Sequence, residues 1–316
     1  MEDHHSLAGR KILVTGARGF IGSHLCHRLY LHGAKVHAVS RGRHTNGDVH
    51  WWQANLADII TVRKLLDNVR PEIIFHLSGF VTAAPGVEFV LSTFDSHLMS
   101  TVCLLTAATE IGCHRIVLTG SLTEPQSSCV DAIPSSPYAA AKWSTGMYGR
   151  MFHALYHTPV TIVRPYMTYG PMQNPHKIIP YVTLSLLRGK SPKLASGEWQ
   201  ADWVYIQDVI DGLLAAAQAP NVEGCTVDLG SGVLLSVREV VTHITHLIDA
   251  SIKPSFGALP DRLAEEIRAA DLASARERLG WRPVTSLEAG LARTVDWYRE
   301  QVNATDPRGD QGEELR

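Results

Sequence analysis

The chain has 316 residues, with 29 Lys and Arg against 31 Asp and Glu, a formal charge of −2 at pH 7, 45% hydrophobic residues and 19% charged residues. That balance describes a globular protein with no basic surplus, so a nucleic-acid partner is not expected. No apolar run approaches the roughly 18–20 residues of a membrane span, and the polar start Met1-Glu2-Asp3-His4-His5-Ser6 lacks a secretory core, so no membrane association is expected either. The five cysteines (Cys26, Cys103, Cys113, Cys129, Cys225) are odd in number and lack C-x-x-C spacing; free thiols in a reducing cytoplasm are the simpler reading, and the expected location is cytoplasmic. Among 16 histidines, only His243 and His246 lie close within a helical pattern and no third ligand accompanies them, so a surface helix face is expected and no metal.

Residues 11–22 read Lys-Ile-Leu-Val-Thr-Gly-Ala-Arg-Gly-Phe-Ile-Gly, an apolar strand running into glycines at 16, 19 and 22, with a helix-like segment, Ser23 to His32, behind them. Gly16 permits the turn, Gly19 lets backbone approach phosphate, and Gly22 lets helix pack on strand, which together make a pyrophosphate cradle for a dinucleotide. The second strand, Lys35–Ser40, bears on which dinucleotide. NAD-binding units place a carboxylate about 20 residues past the glycines, on the adenosine ribose. Here the strand ends Ser40-Arg41-Gly42-Arg43, and guanidinium groups there would fork onto a 2′-phosphate, with Arg18 adding a cation. NADP(H) is therefore expected ahead of NAD(H); the competing reading is that Arg41 and Arg43 are solvated loop charges.

Further strands are expected at 49–53, 72–77, 115–120 and 159–164, and helices at 21–32, 58–69, 88–111 and 138–157, from apolar runs and helical spacing. Such alternation predicts an α/β fold, a doubly wound parallel sheet of Rossmann type, with ligands at the carboxyl ends of the strands. After Arg164 the prolines at 165, 171, 175, 180 and 192 punctuate shorter segments. Residues 1–164 and 202–229 are expected to form the dinucleotide-binding domain, 165–201 and 230–302 a smaller discontinuous substrate-binding lobe, and 303–316 a polar, flexible tail.

Tyr138 and Lys142 stand four residues apart in Ser-Pro-Tyr-Ala-Ala-Ala-Lys, with Pro137 where a helix would begin, so both side chains share one helix face. A phenol titrates near 10 in water, and a neighbouring ammonium lowers that value. Tyr138 is thus a candidate general acid and base, Lys142 a candidate to lower its pKa and hold the nicotinamide ribose, and Ser121, at the end of the strand 115–120, a donor to the reacting oxygen.

With these residues in place the chain resembles an extended short-chain dehydrogenase/reductase of the NAD(P)-dependent epimerase/dehydratase group, over roughly residues 10–300. Ile74-Phe75-His76-Leu77, Val163-Arg164-Pro165, Tyr169-Gly170-Pro171, Asp202 to Val209 and Leu279-Gly280-Trp281-Arg282-Pro283 carry the likeness further. The resemblance implies cofactor contacts from Gly16, Arg18, Gly19, Phe20, Ile21, Gly22, Ser40, Arg41, Asn55, Leu56, Leu77, Ser78, Tyr138 and Lys142. It also implies a sugar-nucleotide substrate and a homodimer through the helices at 88–111 and 138–157. The family's 4,6-dehydratases carry Asp-Glu directly after the active-site Ser or Thr; Leu122-Thr123 here leaves water elimination without its acid–base pair. Met167 and Ala201 replace residues that handle the diphosphate in relatives, so Lys177, Arg188 or Arg262 is expected to take that contact, with Thr123 and Glu124 near the sugar; each cation could equally be solvated, and Glu124 a solvent-facing loop acid. His97 replaces an Asn near the nicotinamide and reads as a satisfied core histidine, or as a member of a proton relay.

The expected activity is NADPH-dependent reduction of a nucleotide-linked 4-keto-6-deoxy sugar by the Ser/Tyr/Lys set. The alternative is a nucleotide-sugar epimerase that oxidises and re-reduces one carbon. An NADP-binding sensor or scaffold without catalysis stands as a reading of another class.

Overall fold

Ile12, Leu13 and Val14 are fully buried, as the interior strand of a parallel sheet requires. In the computed structural model, which describes residues 7–42, 44, 49–82, 84–125, 131–261 and 267–305, this strand is β1 (Lys11–Thr15). Its neighbours are β2 (Lys35–Ser40), β3 (His50–Gln53), β4 (Ile73–His76), β5 (Arg115–Thr119), β6 (Val160–Pro165) and β9 (Thr226–Leu229). The order is β3-β2-β1-β4-β5-β6-β9, every pair parallel. Strands run outward from β1 in both directions, so the reversal lies between β1 and β4, and ligands bind at such a crevice.

Local chemistry starts the crossover helices. Helix α1 (Phe20–Leu31) opens directly from the glycine turn. Helix α2 (Ile59–Val69) is capped by the Asp58 carboxylate, which accepts from the Ile60 and Thr61 N–H groups. Helix α5 (Pro137–Tyr156) has Ser136 as its cap and Pro137 where a missing N–H costs nothing. Between β4 and β5 the chain is helical from Val87 to Ile111: α3 (Val90–Thr93), a wider π-wound stretch, Phe94–Met99, and α4 (Ser100–Ile111). This 25-residue helix is long and apolar enough, at a mean hydropathy of 1.2, to cross a membrane by composition, a run the sequence reading did not pick out. Polar residues such as Asp95 and His97 break it up by eye. Its second half packs on α2 and α5 and sends Cys103, Leu104, Leu105, Ala107 and Ala108 into the core.

Two compact units divide the chain: Met1–Tyr166 with Gln207–Gly230 and Ala270–Pro283, and Met167–Ile206 with Ser231–Ala269 and Val284–Arg316. The first holds the seven-stranded sheet, with α7 (Ile206–Gln218) and α9 (Leu272–Leu279). The second holds a three-stranded sheet, β10 (Leu234–Ser236), β8 (Gln200–Tyr205) and β7 (Met167–Tyr169), and the mutually packed helices α6 (Ile178–Leu187), α8 (Val237–Ile248) and α10 (Leu287–Thr305). The sequence boundaries shift accordingly. Residues 202–206 pair with β7 in the second unit, because Asp202 is held there by the N–H groups of Ser231 and Gly232. Residues 270–283 sit in the first unit, where the Trp281 indole donates to the Asp208 carbonyl (3.0 Å).

Asp228, on β9, ties the first unit together: it accepts from Arg164 Nε (2.7 Å), Tyr166 Oη (2.9 Å) and the Asp271 N–H (3.3 Å). Removing one partner of a buried ion pair strands the other, so Asp228→Ala is expected to lower unfolding free energy by about 3 kcal/mol in a urea titration. A loss under about 1 kcal/mol would show that this hub contributes little.

Candidate active site

The turn after β1 is built by close approach. Gly16 has φ +67°, and a Cβ there would lie 2.7 Å from the Leu77 carbonyl carbon and oxygen, so the turn rests directly on the backbone leaving β4. A Cβ on Gly22 would lie 2.2 Å from the Gly16 oxygen, which presses α1 onto the turn. Gly19 caps α1 without a side chain, and no acid occupies the first helical turn. The N–H groups opening α1 and its dipole therefore face outward with no competing anion of their own, which fits a dinucleotide pyrophosphate.

The rim carries the cation pattern the sequence suggested, with different pairings. The Ser40 hydroxyl donates to the Gly42 carbonyl (2.6 Å), and Gln53 Nε2 donates to the Arg41 carbonyl (3.0 Å), leaving Arg41 exposed. Arg18 is exposed and donates to His44 Nε2 (3.2 Å); Arg43 lies outside the described residues. Asn55 ends the third strand segment with Oδ1 accepting from the Ala57 N–H (3.2 Å). That turn uses its carbonyl oxygen and leaves the amide nitrogen for a base edge. Leu56 is buried beneath it.

At the carboxyl ends of β1, β4 and β5 lies a chain of buried polar groups that spacing rules did not single out. His76 is fully buried, and desolvation holds its pKa down to about 3, so the ring is neutral. Thr101 gives its hydroxyl proton to the His97 carbonyl (2.6 Å), so its oxygen accepts from His76 Nε2 (3.0 Å) and His76 Nδ1 must accept from the Thr15 hydroxyl (2.8 Å). Thr15 Oγ1 in turn accepts from the Leu77 and Ser78 N–H groups (3.2 and 3.3 Å). Their only sequence signal was threonine at two strand ends and histidine at a third.

Tyr138 and Lys142 open α5 one turn apart, as expected, but the ammonium does not bond to the phenol. Lys142, 6% exposed, donates Nζ–H bonds to the Thr119 carbonyl (2.7 Å) and hydroxyl (3.3 Å), and burial lowers its pKa to about 8. The Tyr138 pKa is raised, chiefly by burial and then by Glu124, against a hydrogen bond from Ser121. The sequence expected a lowered phenol; desolvation outweighs the cation here because the ammonium is anchored on β5. Ser121 is positioned by the Thr123 N–H, which donates to its hydroxyl (3.2 Å), and by Thr123 Oγ1 (2.9 Å).

Glu124 is 3% exposed, not a solvent-facing acid. Its carboxylate accepts the Ser121 N–H (2.6 Å); burial raises its pKa, with Arg164, Lys142 and Arg150 acting against that. A Cβ on Gly120 would strike Glu124 Oε1 at 2.3 Å, so the acid is folded back beneath the loop. Leu122 is buried and apolar. His97 lies edge-on to the Tyr138 ring, centroids 5.1 Å apart. Of the residues expected at the substrate, Thr123 and Glu124 thus join Ser121; Met167 lies in β7 and Lys177 precedes α6, both in the second unit, and Arg262 falls outside the described residues.

Comparison with known proteins agrees with this geometry. The model of the NAD dependent epimerase/dehydratase family matches residues 12–230. The chain is 33% identical over 313 residues to a UDP-glucose 4-epimerase of Mycolicibacterium smegmatis, covering 92% of this chain and 99% of that protein. It is 28% identical over 334 residues to a dTDP-glucose 4,6-dehydratase of Streptomyces antibioticus, covering 92% of each. Among solved structures it is similar to UDP-glucose 4-epimerase of Thermotoga maritima with UDP-glucose, at a TM-score of 0.84 and 27% identity over 92% of this chain and 99% of that one. It is also similar to MoeE5 in complex with UDP-glucose and NAD, at a TM-score of 0.81 and 26% identity over 92% and 99%. A family match that spans the whole sheet unit, with relatives collinear beyond it, admits one conclusion: this chain belongs to the NAD dependent epimerase/dehydratase family of nucleotide-sugar enzymes.

Proposed function

We propose that the chain is a nucleotide-sugar 4-epimerase acting on a nucleoside-diphosphate hexose. The observation that carries this reading is the loop after Ser121. Leu122 is apolar and buried, Thr123 has no acid, and Glu124 is committed to the Ser121 N–H. Among the described residues, no loop carboxylate stands ready to remove a C–H proton and protonate a leaving hydroxyl, as water elimination requires. What remains is reversible exchange of a proton and a hydride at one carbinol. The M. smegmatis epimerase, 33% identical, supports the same choice.

A bound nicotinamide dinucleotide supplies the hydride acceptor and donor. Tyr138 takes the carbinol proton as the C–O bond gains double-bond character and returns it to the same oxygen, so the phenol ends in its starting state. Ser121 donates to that oxygen. Lys142, charged for the most part at neutral pH, places a cation one helical turn from the phenol and favours its ionised form once substrate is engaged. A different observation favours a second reading. Ser40 stands where an acid would grip the adenosine ribose, with Arg18 and Arg41 exposed nearby, which suits NADP(H) and an NADPH-consuming keto-sugar reductase.

One assay separates the two. Supplied with UDP-glucose or UDP-galactose, the epimerase interconverts them with no net absorbance change at 340 nm. Steady NADPH oxidation by a 4-keto sugar, without isomer exchange, would overturn that reading in favour of the reductase. Tyr138→Phe is expected to cut turnover by about 100-fold or more while cofactor binding persists; unchanged biological effect in that variant would instead support the sensor reading. Glu124 raises the pKa of both Tyr138 and Lys142. Glu124→Gln keeps an acceptor for the Ser121 N–H and removes the charge, so the acid limb of the kcat/KM profile is expected at lower pH than in the wild type; a shift to higher pH would contradict the placement of this charge.

A further inference from the structure

The histidine beside the catalytic tyrosine holds an acceptor that nothing in the protein uses. His97, 2% exposed, sits in the π-wound segment Phe94–Met99, the kind of helical widening that often marks function. Its Nε2 lies 2.9 Å from the Phe80 carbonyl. A carbonyl only accepts, so Nε2 carries the hydrogen; with the ring kept neutral by burial and by Lys142, Nδ1 is a bare lone pair. Among the described residues Nδ1 has no partner, although it is buried. Two surroundings fix its direction. The ring stands edge-on to Tyr138 at 77°, and Gly79 closes against it so tightly that a Cβ there would lie 2.1 Å from Nδ1. A side chain at 79 would therefore cover the atom, whereas glycine leaves it open at the end of β4, where the active centre lies.

We propose that His97 is a positioning residue whose Nδ1 accepts a hydrogen bond from a hydroxyl of the bound ligand, namely the sugar hydroxyl adjacent to the carbon that Tyr138 serves. The inference rests on the sugar-nucleotide reading above and deepens it. A threonine or water in the same place would satisfy the atom in the ligand-free protein; here the donor arrives with the substrate, so the bond forms only in the complex and selects sugars that carry that hydroxyl. The alternative source of an O–H donor is an ordered water between His97 and Tyr138.

The test uses the full-length holoenzyme. His97→Gln can present an amide N–H to the Phe80 carbonyl and an oxygen to the ligand; His97→Phe presents neither. His97→Phe is expected to raise KM for the nucleotide sugar about tenfold, the scale of one lost hydrogen bond, with cofactor affinity and Tm held, and His97→Gln to restore most of it. Deoxy analogues of UDP-glucose lacking the 3- or 6-hydroxyl identify the donor. The His97→Phe penalty disappears with the analogue missing the bonded hydroxyl, whereas a penalty equal across all analogues assigns the bond to water and overturns the substrate assignment. Equal KM in wild type and His97→Phe overturns the inference outright. Should the wild type interconvert no sugars, the functional reading fails by itself. ¹⁵N NMR of histidine-labelled holoenzyme then decides the inference without turnover: an upfield move of the His97 Nδ1 resonance on adding UDP-glucose supports it, and an unmoved resonance overturns it.

Discussion

A buried ammonium sets the terms for this active site. Lys142 cannot lie out of water unless oxygen surrounds it, and the strand β5 supplies both oxygens through Thr119. The Thr119 hydroxyl spends its own proton on the His76 carbonyl (3.0 Å), which joins β5 to β4. From the His76 ring the chain of bonds passes to Thr15 at the end of β1, and from Thr15 to the N–H groups of Leu77 and Ser78. Three adjacent strand ends are thereby fixed relative to α5. Any displacement of Lys142 breaks a bond whose loss is felt as far as the glycine turn.

The same strand ends form the floor of the dinucleotide cradle. Gly16 rests on the Leu77 carbonyl, the backbone that Thr15 holds from the other side. Cofactor binding and proton transfer accordingly share one rigid edge and need no independent alignment. Glu124 completes the arrangement from beneath. By taking the Ser121 N–H it orients the serine, and its charge keeps Lys142 protonated more than burial alone would allow. A carboxylate so placed acts through its neighbours; it is turned away from any position where it could attack a sugar.

Much of this was legible in the sequence because it depends on local spacing. The glycine turn, the Pro137 start of α5 and the four-residue separation of Tyr138 and Lys142 are properties of one segment each, and the structure places them as expected. What escaped depends on neighbours distant in the chain. The direction of Lys142 is decided by Thr119, twenty-three residues earlier. Glu124 turns inward because Arg164 and Arg150 wait there, on β6 and α5. The strand at Gln200–Tyr205 has the apolar content of a central strand, yet it pairs with β7 and not with the large sheet, a choice no pattern of period two encodes.

Burial of Lys142 also costs stability. Its pKa is 10.5 in an unfolded chain and about 8 in the fold, so between those values the unfolded state binds more protons and folding becomes more favourable as pH rises. At neutral pH the protein therefore carries most of the desolvation cost of a charged lysine. A leucine of similar volume would avoid that cost and pack as well against β5. The charge is retained because a phenol raised by burial can lose its proton only where a cation stands within a helical turn of it, and on α5 Lys142 is that cation. The stability given up at position 142 and the reactivity gained at position 138 are thus two consequences of one buried charge.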